Sequence, residues 1–199
     1  MSVHEFVSFL HAAAGVIWIG AAFTLVYLAV RAQKAHNHAE LALVIRNMLH
    51  FSRAVFMPAS GVVLILGLYL LFGVWSFFQF WVLYALVAFA GTAVLSSMVL
   101  APMLKEYAAL EPTEAATPES AALASRIVAV GKTDLVILFS LLFVMIVKPF
   151  WGNFLVWPLL LIVVGGGIFF FMPRDLLPGQ TPLNRTRDFG DDDDEDDDA

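Results

Sequence analysis

The chain contains no cysteine. That excludes disulfides, cysteine-ligated iron–sulfur clusters, covalently attached c-type haem and thiol catalysis. Charge is scarce too: 14% of the 199 residues are Asp, Glu, Lys or Arg, against 60% hydrophobic. A soluble domain of this length cannot bury so much apolar surface and carries more charge outside. Between Arg53 and Lys105 lie 51 residues without a single charge, and Phe6 to Val30 adds 25 more. Roughly 20 apolar helical residues cross a bilayer core of about 30 Å. The composition therefore predicts an integral membrane protein. There is no basic patch with interleaved aromatics, which argues against nucleic acid as a partner. No P-loop, Ser/His/Asp triad or zinc-protease motif is present.

What charge there is has a pattern. The formal net charge of −6 is set by the run of eight acidic residues Asp191–Asp198; the rest holds 11 basic and 9 acidic residues, a balance of +2. Residues 1–173 read as the membrane bundle and 174–199 as a disordered acidic cytoplasmic tail. The start of the chain does not read as a signal peptide, since His4 and Glu5 replace a basic start and the apolar run is too long.

The fold expected is all-α, a polytopic bundle of five transmembrane helices. Helix one covers Glu5 to Val30. A polar stretch, Arg31 to Glu40, leads to an amphipathic helix from Leu41 to His50. The long uncharged run would be about 76 Å as a single helix, so it must fold back, and Gly73 to Trp81 is the place for the turn. Helix two then runs Arg53–Phe72 and helix three Phe78–Pro102. A polar loop, Lys105–Ser125, precedes helix four at Lys132–Pro149 and helix five at Phe154–Met172. Pro102, Pro149 and Pro173 are expected where helices stop. Pro58, inside helix two, frees the Ala54 carbonyl and predicts a kink.

With the N-terminus outside and the C-terminus inside, ten of the 11 basic residues fall in the cytoplasm and only Lys148 outside. Trp75, Trp81, Trp151 and Trp157 then flank the two outer loops, at the interface that tryptophan prefers. The expected location is the cell membrane, with lipid, a membrane-protein partner or a second copy as neighbours.

His11 is the leading candidate for chemistry, because it is the one histidine expected inside the hydrocarbon region. His4, Ser8, His11, Gly15, Trp18 and Ala22 share one helix stripe that faces protein. His11 reads either as a neutral histidine bonded to a neighbouring helix or as a ligand to haem or copper, or a proton carrier. His50 sits near the opposite membrane face, so a bis-histidine haem within one chain is disfavoured. Arg53, Lys132 and Asp134 gather at the cytoplasmic ends of helices two and four, where Arg53–Asp134 is the expected structural ion pair. Lys148, the outer basic residue, either snorkels or meets an anion or haem propionate beside His11. His36 and His38, in AHNHAE, read as a solvated loop. The methionines read as packing, and Gly165 to Gly167 permits close helix contact.

Three segments in order carry a resemblance: FLHAAAGVIWIGAAF, RAVFMPASGVVLILGL and FVMIVKP. Together they resemble the predicted integral membrane proteins of domain-of-unknown-function family 2269, over about Glu5 to Pro149. More distantly, helix one is similar to copper resistance protein D and to the HemJ-type protoporphyrinogen oxidases. The latter likeness would imply haem chemistry at His11, but it also expects a membrane lysine for which Lys148 has the wrong surroundings. Two functions stay open: a small redox, haem or metal-linked membrane protein using His11, and a non-enzymatic accessory or structural subunit of a membrane complex.

Overall fold

In a bilayer every backbone N–H and C=O must find its partner within the protein, and a helix supplies these from its own segment. The computed structural model describes residues 2–74, 77–110 and 117–173. Trp75, the centre of the expected 105–125 loop and the acidic tail lie outside the described residues. Among the described residues there are helices, turns and no strand.

Helix α1, Val3–Lys34, is opened by a capping box in which Ser2 Oγ accepts from Glu5 N–H at 3.2 Å and Glu5 Oε2 accepts from Ser2 N–H at 2.8 Å. Helix α2 (His38–Phe51), a π-helical turn (Ser52–Phe56) and α3 (Met57–Val74) form one continuous rod. Helix α4 (Phe80–Val94), a π-helical turn (Leu95–Leu100) and α5 (Ala101–Ala108) form another. Helix α6 spans Pro118–Val147. The last rod is α7 (Val156–Leu160), a π-helical turn (Leu161–Gly165) and α8 (Gly166–Phe171). Four rods, of 32, 36, 29 and 30 residues, are long and apolar enough to cross a membrane, and Val156–Phe171 is a shorter apolar fifth. The chain is an all-helical polytopic membrane bundle.

Two prolines explain irregularities in the long rods. Pro58 has no N–H for the Ala54 carbonyl and its ring crowds that turn, and the helix widens at Ser52–Phe56 just ahead of it. Pro102 likewise follows the wide turn Leu95–Leu100, which accommodates a proline that can donate no backbone hydrogen bond inside the rod. The expected stop at Pro102 is therefore corrected: the helix continues to Ala108.

The other boundaries shift in the same direction. Helices of 29 to 36 residues are about 44–54 Å long, well beyond a core of about 30 Å. The excess lies at the end that carries the 35–37 and 109–117 connections. There the ends of α1 and α6 pack with α2 and α5 around Ala32, Ile45, Met48, Leu104, Tyr107 and Ile127, all buried. Arg46, Lys105, Glu106, Glu119 and Arg126 are exposed on this cap. The expected polar stretch 31–40 shrinks to a three-residue turn, and the 105–125 loop gives up both ends to helix. The charges there lie on the exposed faces of amphipathic helices.

The 35–37 turn is closed by Arg31–Glu40 at 2.6 Å, by Asn37 accepting from Glu40 N–H at 3.0 Å, and by His36 in the left-handed region at φ 53°. His36 and His38 are exposed, as a solvated turn requires. Helix α6 is the central element, packed against α1, α4 and α8. Two glycines allow this. A Cβ on Gly167 would lie 2.7 Å from Val136 Cγ1, and one on Gly131 would lie 3.0 Å from Val26 Cγ2. Gly165 and Gly166 make no such approach.

Candidate functional site

The stripe on α1 turns inward. Ser8, His11 and Gly15 are partly buried, Trp18 and Ala22 fully so, while His4 stays exposed. Trp18, Ile19 and Ala22 pack with Val63 of α3 and Leu138 of α6, and the Trp18 edge meets Phe89 of α4 at 5.7 Å. His11 lies toward the N-terminal end of this layer. Its Nδ1 is 2.9 Å from the carbonyl oxygen of Val63. A carbonyl only accepts, so Nδ1 carries the proton and donates. The ring can reach that carbonyl because the next turn of α3 presents Gly67: a Cβ there would stand 3.0 Å from His11 Cε1 and 3.4 Å from Nδ1.

Across the bundle, α4 and α6 run antiparallel and share polar contacts. The Tyr84 hydroxyl donates to Ser140 Oγ at 2.7 Å, and Ser140 Oγ donates to the Ile137 carbonyl at 2.7 Å. Two turns further along α4, the Thr92 hydroxyl donates to the Asp134 carboxylate. Asp134 is the seventeenth of the 30 residues of α6, mid-helix rather than at its start. The structure does not bring Arg53 to it: Arg53 is exposed on its π-helical turn, and the one ion pair among the described residues is Arg31–Glu40. Lys132 turns away, its ammonium 5.8 Å from the centre of the Phe171 ring.

The opposite end of the bundle is aromatic. Phe80 and Trp157 rings are 4.0 Å apart, and Trp151 lies 5.2 Å from Trp157. Trp151 Nε1 donates to the Phe78 carbonyl at 2.7 Å, fastening the 148–155 connection to the start of α4. Lys148 caps α6 in the left-handed region at φ 47°, with its N–H on the Val144 carbonyl. Pro149 explains the stop, because the residue before a proline avoids the α-helical region. The Lys148 ammonium sits 5.5 Å from the centre of the Trp81 ring, a cation–π contact. Lys148 is thus directed to α4, whereas His11 is directed to α3. His50 is exposed in α2, with its ring near Phe51.

A haem or chelated metal needs a set of converging donors or a cavity beside its axial ligand. No group of three His, Asp or Glu side chains converges among the described residues. His11 has its ring against the α3 backbone, with no room for a planar group on that side. The donor set at His11 is one imidazole, and it does not fit a chelated ion or a haem held by two side chains.

Sequence reasoning missed Val63, Gly67, Tyr84, Thr92 and Ser140. The last three were visible as polar residues in apolar runs. Val63 contributes only a carbonyl, which no side-chain pattern announces.

The model of the predicted integral membrane protein family, domain-of-unknown-function family 2269, matches residues 5–149. The chain belongs to this family. The match runs from the capping-box glutamate of α1 to the proline that ends α6, so it takes in the His11 junction, the α4–α6 polar seam and the Lys148 cap. No curated protein and no solved structure matches the chain.

Proposed function

We propose that this family member is a non-enzymatic accessory subunit of a complex in the cell membrane, with His11 acting as a fastener between α1 and α3. The observation that supports this reading is the His11 Nδ1 bond to Val63 at 2.9 Å, made over the bare Gly67 backbone. That bond gives the one histidine in the spanning part of α1 a structural task. The polar side chains of the α4–α6 seam likewise satisfy one another rather than converging on a vacant position. The test is cross-linking in native membranes followed by purification, with metal analysis and a visible spectrum of the same sample. A stoichiometric membrane-protein partner and a colourless, metal-free sample are expected. A Soret band or bound copper lost in His11→Ala would overturn the proposal.

One observation favours the redox reading as the second choice. With Nδ1 donating to a backbone carbonyl, Nε2 of neutral His11 keeps its lone pair, the arrangement that orients metal-ligating histidines. A five-coordinate haem or a copper shared with a partner would use that nitrogen, and the same spectrum decides between the two.

A further inference from the structure

The last rod is the shortest crossing of the bundle. Its α7, π-helical turn and α8 hold 5, 5 and 6 residues, about 24 Å at 1.5 Å per residue. A bilayer core is about 30 Å thick. Tilting shortens a crossing further, so leaning cannot supply the missing length. The rod lies antiparallel on α6: Leu160 packs with Val144, a Cβ on Gly167 would meet Val136, and the Phe171 ring faces the Lys132 ammonium. The part of α6 beside it therefore runs from Lys132 to Lys148, 16 residues apart and again about 24 Å. Asp134, the one charged residue between them, is bonded to Thr92 of α4.

Both edges of this short face are marked. Trp81, Trp151 and Trp157 gather at one, with the Lys148 ammonium over Trp81, as at a membrane interface. Lys132 stands at the other, over Phe171, and Arg174 follows Pro173 in the sequence. Elsewhere the bundle is taller. On α1 the charges Glu5 and Arg31 are 26 residues apart, about 39 Å. On the α4–α5 rod Lys105 lies 25 residues beyond Phe80, about 38 Å. Among the described residues nothing covers the outer side of the last rod, where Leu161, Ile162, Phe169 and Phe170 are exposed. A face shorter than the hydrocarbon core is met by a locally thinner bilayer, at a modest cost for each ångström of mismatch.

We propose that the α6–α8 face is a binding surface for phospholipids with short acyl chains, which thin the bilayer on this side of the bundle alone. The proposal is independent of the His11 fastener and of the accessory-subunit reading. The chain has no cysteine, so a fluorophore can report on one face at a time. Ile162→Cys places it on the short face, where the native side chain is 70% exposed, and Ile17→Cys on α1, where it is 58% exposed. The full chain is reconstituted in vesicles of brominated phosphatidylcholine diluted with dimyristoleoyl, dioleoyl or dierucoyl phosphatidylcholine. The lipid that a face prefers displaces the quencher from it. At Ile162→Cys the short dimyristoleoyl lipid should displace the quencher on the order of threefold better than the long dierucoyl lipid. At Ile17→Cys that preference should be absent or reversed. Lys132→Leu removes the charge at one edge and should move the optimum at Ile162→Cys toward dioleoyl chains. The same order of lipids at both labels overturns the proposal, as does an optimum that Lys132→Leu leaves unchanged. A label at Ile162→Cys that brominated lipid does not quench would show a second copy covering the face and would also overturn it.

Discussion

The imidazole of His11 rests on Gly67, one helical turn beyond the Val63 carbonyl that its Nδ1 reaches at 2.9 Å. The two residues are complementary: the ring fills the space that a side chain would take, and its absence opens the path to the backbone. Gly67→Ala should therefore push the ring by a few tenths of an ångström and weaken the bond. An interhelical hydrogen bond in a membrane is worth about 0.6–2 kcal/mol, so a loss of that order is expected in thermal melts of purified protein. The decisive measurement is the double mutant. In a His11→Ala background Gly67→Ala should cost almost nothing, because the ring it would strike is gone. Equal costs in both backgrounds would show that ring and glycine are not coupled.

Thr92 and Asp134 should be coupled in the same way, and Arg53 and Asp134 should not. Thr92 donates to the carboxylate from α4, whereas Arg53 is exposed on a different rod. Asp134→Asn keeps an oxygen that accepts from Thr92 and should be mild. Thr92→Val leaves the carboxylate without its hydroxyl in a setting where a charged side chain costs about 2.5–3.5 kcal/mol on insertion scales, and should be the more damaging change. Double-mutant cycles on detergent-solubilised protein check both pairs; zero coupling for Thr92–Asp134 would remove the seam as a stabilising feature.

The helices were legible in the sequence because charge is absent over whole crossings, a signal that no local detail can hide. Their ends were not. Leu41, Val44, Ile45 and Met48 read correctly as an amphipathic helix, but nothing local said that it continues through Pro58 into α3. The π-helical turn at Ser52–Phe56 makes that continuity sterically acceptable. Asp134 was misplaced for a related reason: α6 begins 16 residues earlier, in the cap, so the charge taken to mark the helix start lies at mid-helix. His11 was legible as a histidine on a protein-facing stripe, but its partner is a backbone oxygen 52 residues away, and side-chain patterns carry no record of that.

Membrane orientation can be read directly, since a chain without cysteine gives no background in thiol labelling. With the N-terminus outside, Asn153→Cys at the aromatic end should label in intact cells. Glu119→Cys, exposed on the cap, should label only after permeabilisation; Ser120 is unsuitable because it is 2% exposed. Thr186→Cys should behave like Glu119→Cys. Labelling of Thr186→Cys in intact cells would place the end of the chain on the outer side and leave four crossings.

Lys148 joins two opposing effects, and substitutions separate them. Its left-handed backbone at φ 47° costs a residue with a Cβ about 1–2 kcal/mol, while its ammonium over Trp81 returns about 0.5–1 kcal/mol at an exposed site. Lys148→Ala keeps the backbone cost and loses the ring contact, so it should destabilise. Lys148→Gly loses the same contact but relieves the backbone, because glycine populates the left-handed region freely. The glycine variant should therefore melt above the alanine variant, and close to or above the native chain. Trp81→Leu loses its bond to Gln79 and its packing on Phe80 and Val144 in either background, so it should lower both melting temperatures, but by less in Lys148→Ala, where the cation it would face is already absent. An alanine variant as stable as the glycine variant would show that the turn at Lys148 carries no strain and that Pro149 alone ends α6.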